Sequence, residues 1–86
     1  MAGYTRETQK YLTRITGDNS GWNETYSSGN NVPVSGIYRC VVCEKEIASN
    51  KDYPFPPQNH HQHSGGAKIS WQLVIRADTK NQWGND

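Results

Sequence analysis

The sequence predicts one small, β-rich domain that its apolar residues alone do not hold together. Three observations carry that reading. The chain has 86 residues, of which 33% are hydrophobic. A chain so short buries little of its surface, and domains of this size usually need a metal, a disulfide or a partner as a staple. The strongest periodic pattern is a strand: Ile69, Trp71, Leu73 and Ile75 alternate with Ser70, Gln72, Val74 and Arg76. Period-two alternation places the first set on one face of a pleated strand. Eight Gly and four Pro, among many Asn and Ser, cut the rest of the chain into short pieces joined by turns.

Residues 1–16 fit more than one form. Tyr4, Tyr11, Leu12 and Ile15 share a helical face, with Glu7 early, Arg14 late and Gly17 as a stop. Residues 11–16 fit an alternating strand equally well, and a tail with a transient turn is the third reading. Residues 17–21, Gly-Asp-Asn-Ser-Gly, are turn-forming. Residues 22–26 read as a short strand, which that turn would join to 11–16 as a hairpin. The Asn/Ser/Gly-rich stretch 17–31 is the place for a boundary. The expected organisation is therefore an irregular, partly flexible N-terminal segment over 1–31, a folded module over 32–78 and a flexible tail over 79–86.

Within the module, residues 32–36 lead into a β-type run, Ile37-Tyr38-Arg39-Cys40-Val41. Glu44 and Lys45 form a turn, and residues 46–48 return as a second strand, so the pair Cys40 and Cys43 stands at the tip of a hairpin. Residues 50–52 are a loop. Tyr53-Pro54-Phe55-Pro56-Pro57 is stiff and extended, because proline fixes φ and removes a backbone donor. Its Tyr53 and Phe55 are expected to cover a small core. Residues 64–67 are flexible by composition. Trp71, on the apolar face of its strand, is expected to be buried, with Trp22 and Trp83 more exposed.

The chemistry gathers in one window. Cys40 and Cys43 are the only cysteines, and His60, His61 and His63 are the only histidines. The spacing is C-x2-C-x16-H, followed by H-x2-H if His60 and His63 are used. Zinc favours tetrahedral sites of sulfur and nitrogen ligands. A C-x2-C turn presents two sulfurs to one ion, and a second pair must arrive from elsewhere to close the tetrahedron. The gap is too long for a C2H2 finger, and the prolines before His60 oppose the helix such a finger needs. It does match a zinc ribbon, with histidines in the second knuckle. Two imidazoles argue for zinc over a four-thiolate iron site. His60 with His63 repeats the x2 spacing of the first knuckle; His61 with His63 is the rival pair, since period-two spacing also puts two rings on one side. A redox dithiol would need a thioredoxin-like βαβ context, which is absent.

Other classes fit less well. The net charge is +1, unlike a strongly basic nucleic-acid binder. No run approaches the ~20 apolar residues of a membrane helix. The first residues hold no apolar secretory core. A reducing cytoplasm is then expected, where paired cysteines bind metal more often than they form disulfides. No nucleophile triad, phosphate loop or dinucleotide fingerprint occurs, and Glu44 and Glu46 read as solvated turn residues.

Residues 26–75 also resemble the small bacterial zinc-ribbon, rubredoxin-like proteins. Gly29, Val32, Pro33, Ser35, Gly36, Tyr38, Cys40 and Cys43 fit that pattern in order, followed by Phe55, Pro56, Pro57, Trp71, Leu73 and Val74. Glu44 stands where a knuckle glycine is usual, and residues 58–63, Gln-Asn-His-His-Gln-His, replace the second cysteine pair. The resemblance implies a zinc-ribbon architecture and no enzyme activity. Together these readings give a structural zinc module that acts as a small binding or adaptor protein, with a protein partner. The alternatives are a nucleic-acid-binding ribbon using Arg39, Lys45, Lys51 and aromatic faces, and a redox dithiol protein.

Overall fold

The computed structural model describes residues 1–15, 20–56 and 68–80. Their centre is a four-stranded antiparallel sheet. Strand β1 is Thr25–Ser27, β2 is Gly36–Cys40, β3 is Glu46–Ser49 and β4 is Ser70–Arg76; the order across the sheet is β1-β4-β2-β3. The hairpin expected around the cysteine pair is present as β2 and β3, with Tyr38 opposite Ile47 and Arg39 opposite Glu46. The strand expected over 69–75 is present as β4. It is flanked on both sides, by β1 and β2, as suits the strand with the clearest apolar alternation.

Alternation decides what is buried. Tyr38 and Cys40 of β2 and Trp71 and Leu73 of β4 face the core, while Arg39, Gln72 and Val74 are half-buried on the other face. Cys40 pairs with Trp71 and Tyr38 with Leu73. A register shift between Ile37 and Tyr38 follows, and Ile75, beyond it and opposite Ile37, is only half-buried. Gly36 begins β2 where the backbones crowd. A Cβ there would run into the carbonyl oxygen of Ile75 and lie 3.0 Å from the Cα of Arg76, so no larger residue fits without movement.

The rest of the core comes from outside the strands. Val32, Phe55 and Ile69 complete the buried cluster. Phe55 stacks on Tyr26 with ring centroids 5.6 Å apart and meets Tyr38 edge-on at 4.9 Å. It also lies parallel to Trp71 at 6.4 Å. Aromatic pairs in such geometries add to the burial of their area. The Tyr38 hydroxyl donates to the carbonyl of Val34 at 2.6 Å, which gives the buried phenol its partner.

Phe55 reaches the core because residues 29–32 and 52–55 pair as two short antiparallel runs. The amide of Val32 donates to Tyr53 at 2.8 Å, and that of Phe55 donates to Asn30 at 2.8 Å. Asn31 and Pro54 face each other between those bonds, where the backbone groups point outward, so the proline costs no hydrogen bond. Phe55 covers the core as expected. Tyr53 does not: it closes the turn after Asp52 and stays 65% exposed.

Of the three readings of residues 1–16, the described residues show a local turn and neither the helix nor the hairpin strand. Thr8–Tyr11 is a single 3₁₀ turn, braced by hydrogen bonds between Thr5 and Thr8, and it buries nothing. Leu12 is already extended, at φ −95° and ψ 136°. Ser20–Asn23 is a short helical turn, α1, and only Thr25–Ser27 is a strand. That strand pairs with β4, Tyr26 opposite Trp71, because the open edge of β4 offers a ladder and an aromatic face that residues 11–15 lack. The sheet thus takes in residues before position 32. Trp22 is half-buried against the core, more exposed than Trp71, and its carbonyl accepts from the Gln72 side chain at 3.0 Å. Trp83, the segment 64–67 and most of the expected tail lie outside the described residues.

Candidate metal centre

The hairpin tip is a tight turn built by backbone bonds. The Glu44 amide donates to the Cys40 carbonyl at 2.9 Å, and the Cys40 amide donates to the Lys45 carbonyl at 2.8 Å. Closing the turn this way puts Glu44 at φ +70°, the left-handed region that favours glycine. The zinc-ribbon proteins that this stretch resembles usually have a knuckle glycine at this position; here the left-handed conformation occurs with Glu44 in its place. The Arg39 guanidinium lies 3.1 Å from the Glu44 carboxylate across the turn.

The two cysteines differ in their surroundings. Cys40 is buried and Cys43 exposed, and neither is in a disulfide. Burial pushes the Cys40 thiol up, but four hydrogen bonds outweigh it: from the backbone of Cys43, Ser70 and Val42 and from the Cys43 side chain. The net effect lowers it from 9.0 to about 6. The charged sulfur is the form these donors favour, and thiolate is the form that binds metal. The turn supplies two of the amides. The third, from Ser70, comes from the first residue of β4, and the Val41 amide returns a bond to the Ser70 carbonyl at 2.9 Å. Trp71, opposite Cys40, walls the sulfur from water.

Of the sequence-predicted ligands, the structure brings Cys40 and Cys43 together. His60, His61 and His63 lie outside the described residues. Among the described residues no group of three or more His, Cys, Asp or Glu gathers to hold a metal. Glu44 is engaged with Arg39, and Glu46 lies 3.6 Å from the N-terminal ammonium, so both carboxylates turn to cations rather than to the sulfurs. The donor set fits a borderline ion such as zinc: two sulfurs on one turn, one of them accepting backbone amide bonds that favour its thiolate form. Sequence reasoning missed Ser70 as a member of this site. It acts through its amide, which every residue but proline carries, so residue type gives no signal for it.

Over 80 residues, 93% of this chain and 92% of the relative, the chain is 58% identical to Protein L of Escherichia coli. The chain belongs to the Protein L family. Identity at that level over nearly the full length of both means that Protein L shares this fold. No family model matches the chain, and no solved structure matches it. The name Protein L states no activity, so the function of the family is argued from the site. Among the described residues, no helix is long and apolar enough to cross a membrane.

Proposed function

We propose that this member of the Protein L family is a zinc ribbon, with one zinc ion held by Cys40, Cys43 and two of the three histidines. His60 and His63 are the preferred pair and His61 the alternative. The observation that supports it is the Cys40 sulfur, which accepts backbone hydrogen bonds from Val42, Cys43 and Ser70. Those donors favour the thiolate, the form of cysteine that binds a metal, and the second sulfur lies on the same turn. When bound, the ion supplies a cross-link between the hairpin tip and the chain ahead of β4, in a domain whose core is one small cluster. The residues themselves do the positioning: Glu44 closes the turn, Ser70 ties the sulfur to β4 and Trp71 keeps it dry.

The module's role is that of a small binding or adaptor protein, without catalysis, in the cytoplasm. A protein partner is favoured over nucleic acid. Val41 and Val42 stand 47% and 49% exposed in the turn, an apolar pair open to solvent. The neighbouring cation Arg39 is engaged with Glu44, which blunts any phosphate-binding surface there.

The experiment is zinc affinity across single alanine substitutions of His60, His61 and His63. His60→Ala and His63→Ala are expected to weaken binding strongly, with His61→Ala close to the native protein. Loss at His61 with none at His60 selects the rival pair. Unchanged affinity in all three variants removes the imidazoles from the site and the ribbon reading with them.

A further inference from the structure

We infer that residues 4–15 are an anchor for an anionic lipid surface, where they fold into an amphipathic helix lying in the plane of the headgroups. Three observations carry it. The first is the pattern. At about 100° per residue, Tyr4, Tyr11, Leu12 and Ile15 fall within roughly 100° of arc on a helix, and Arg6, Lys10 and Arg14 within roughly 80° on the far side. Three cations against Glu7 alone leave the segment at +2. The second is a helix begun and not continued. The Thr5 amide donates to the Thr8 hydroxyl at 2.8 Å, and the Thr8 amide donates to the Thr5 hydroxyl at 3.1 Å. That reciprocal pair is the capping box of a helix start, with Thr8 where a glutamate is usual. The Gln9 amide then donates to the Thr5 carbonyl at 2.9 Å, the i to i−4 bond of an α-helix. The turn ends at Tyr11, and Leu12 is extended. Nucleation is the unfavourable step of helix formation, and each further residue adds a bond. The third is exposure. The turn buries no residue, and Tyr4, Tyr11 and Leu12 stand 60%, 75% and 47% exposed.

The placement of charge selects among surfaces. A single-stranded nucleic acid is held by rings and cations that line one groove; on this helix they stand on opposite faces. A protein groove takes the apolar face and leaves the opposite one in water, which gives three cations nothing to meet. At a bilayer the apolar face enters the boundary of the acyl chains while headgroups flank the helix, and a basic polar face is what such helices carry. Tyrosine suits that depth, with an apolar ring and a polar hydroxyl. Anionic headgroups draw Arg6, Lys10 and Arg14, and burial of Leu12 and Ile15 extends the helix from its cap. None of these residues is a candidate zinc ligand, so the anchor stands apart from the zinc reading. Val41 and Val42 also lie elsewhere in the chain.

The test mixes the full chain, at low ionic strength, with vesicles of phosphatidylglycerol and phosphatidylethanolamine or with vesicles of phosphatidylcholine alone. The chain is expected to sediment with the first and not with the second. Far-ultraviolet circular dichroism is expected to gain helical signal with the first only. Leu12→Asp charges the apolar face, and the triple variant Arg6→Gln, Lys10→Gln, Arg14→Gln removes the basic one. Each is expected to weaken sedimentation by more than about tenfold. Both are expected to keep the native melting temperature, because the turn buries nothing, so lost binding is not lost folding. No binding to the anionic vesicles overturns the inference. Binding that Leu12→Asp leaves intact also overturns it, since that is adsorption without insertion. Tighter binding to a single-stranded thymidine oligonucleotide than to the vesicles does the same.

Discussion

Cys40 stands directly opposite Trp71 in the β2–β4 ladder, and neither exposes any surface to solvent. One side chain anchors the aromatic cluster and the other is the inner sulfur of the candidate site, so core and site meet at a single cross-strand pair. Damage to either is expected to be felt by the other.

Trp71→Ala removes the largest buried side chain among the described residues and leaves Phe55, Tyr26 and Cys40 around a void. Aromatic-to-alanine changes in cores cost about 3–5 kcal/mol. Against the ~5–15 kcal/mol that holds a whole domain, such a loss takes much of the margin of a chain this small. A denaturant titration of the variant is expected to show a large drop in midpoint together with weaker zinc retention. A drop below about 1 kcal/mol, in the range of surface substitutions, contradicts the placement of Trp71 in the core.

At Glu44 the expected effect has the opposite sign. A non-glycine residue in the left-handed region is held there at a cost of roughly 1–2 kcal/mol. Glu44→Gly removes that cost and forfeits the ion pair with Arg39. The pair is solvent-exposed, and such pairs contribute only ~0–1 kcal/mol. The glycine variant is expected to be at least as stable as the native protein, and Glu44→Val, β-branched and poorly suited to positive φ, clearly less stable. Thermal melts of the two variants side by side check this. Equal loss in both would mean that the ion pair, not the turn, is what Glu44 provides.

Much of this arrangement was legible in the residues. The β2–β3 hairpin follows from two short apolar runs with a turn between them, and β4 from alternation around Trp71 with Val74 as its exception. Both rest on local patterns. The pairing of Tyr26 with Trp71 does not: a three-residue strand is too short to show a period, and its partner lies far along the chain. The same holds for the runs 29–32 and 52–55, where three prolines pointed to a connector and the backbone instead uses the outward-facing position of Pro54. The cysteine pair was visible at once. The amides that hold Cys40 as thiolate were not, because backbone donors leave no mark on residue type. The departure at Glu44 was visible as a missing glycine, and its conformation explains what the glycine would have been for.

The response to pH follows from Cys40. Its thiol is lowered in the fold from 9.0 to about 6. A depressed value means that the folded state favours the ionised form and the unfolded chain takes up the proton. The stabilisation is therefore complete above the ordinary value of 9.0, shrinks as pH falls towards about 6, and is gone below it. Bound zinc acts in the same direction, since protons compete for sulfurs and imidazoles alike. Denaturant midpoints at fixed zinc are expected to fall steadily as pH is lowered across that window. A flat or rising profile there contradicts the thiolate assignment.

Metal content tests the central claim most directly. Native mass spectrometry of the full chain, purified without added metal and sprayed from neutral volatile buffer, reads the number and identity of bound ions in one spectrum. One zinc per chain is the expected result, with the mass accounting for two protons displaced from Cys40 and Cys43. Binding free energy for a structural zinc, on the order of 10–16 kcal/mol at neutral pH, is ample to survive purification. A folded chain at its bare mass, with both thiols protonated and no ion taken up when zinc is supplied, would contradict the account.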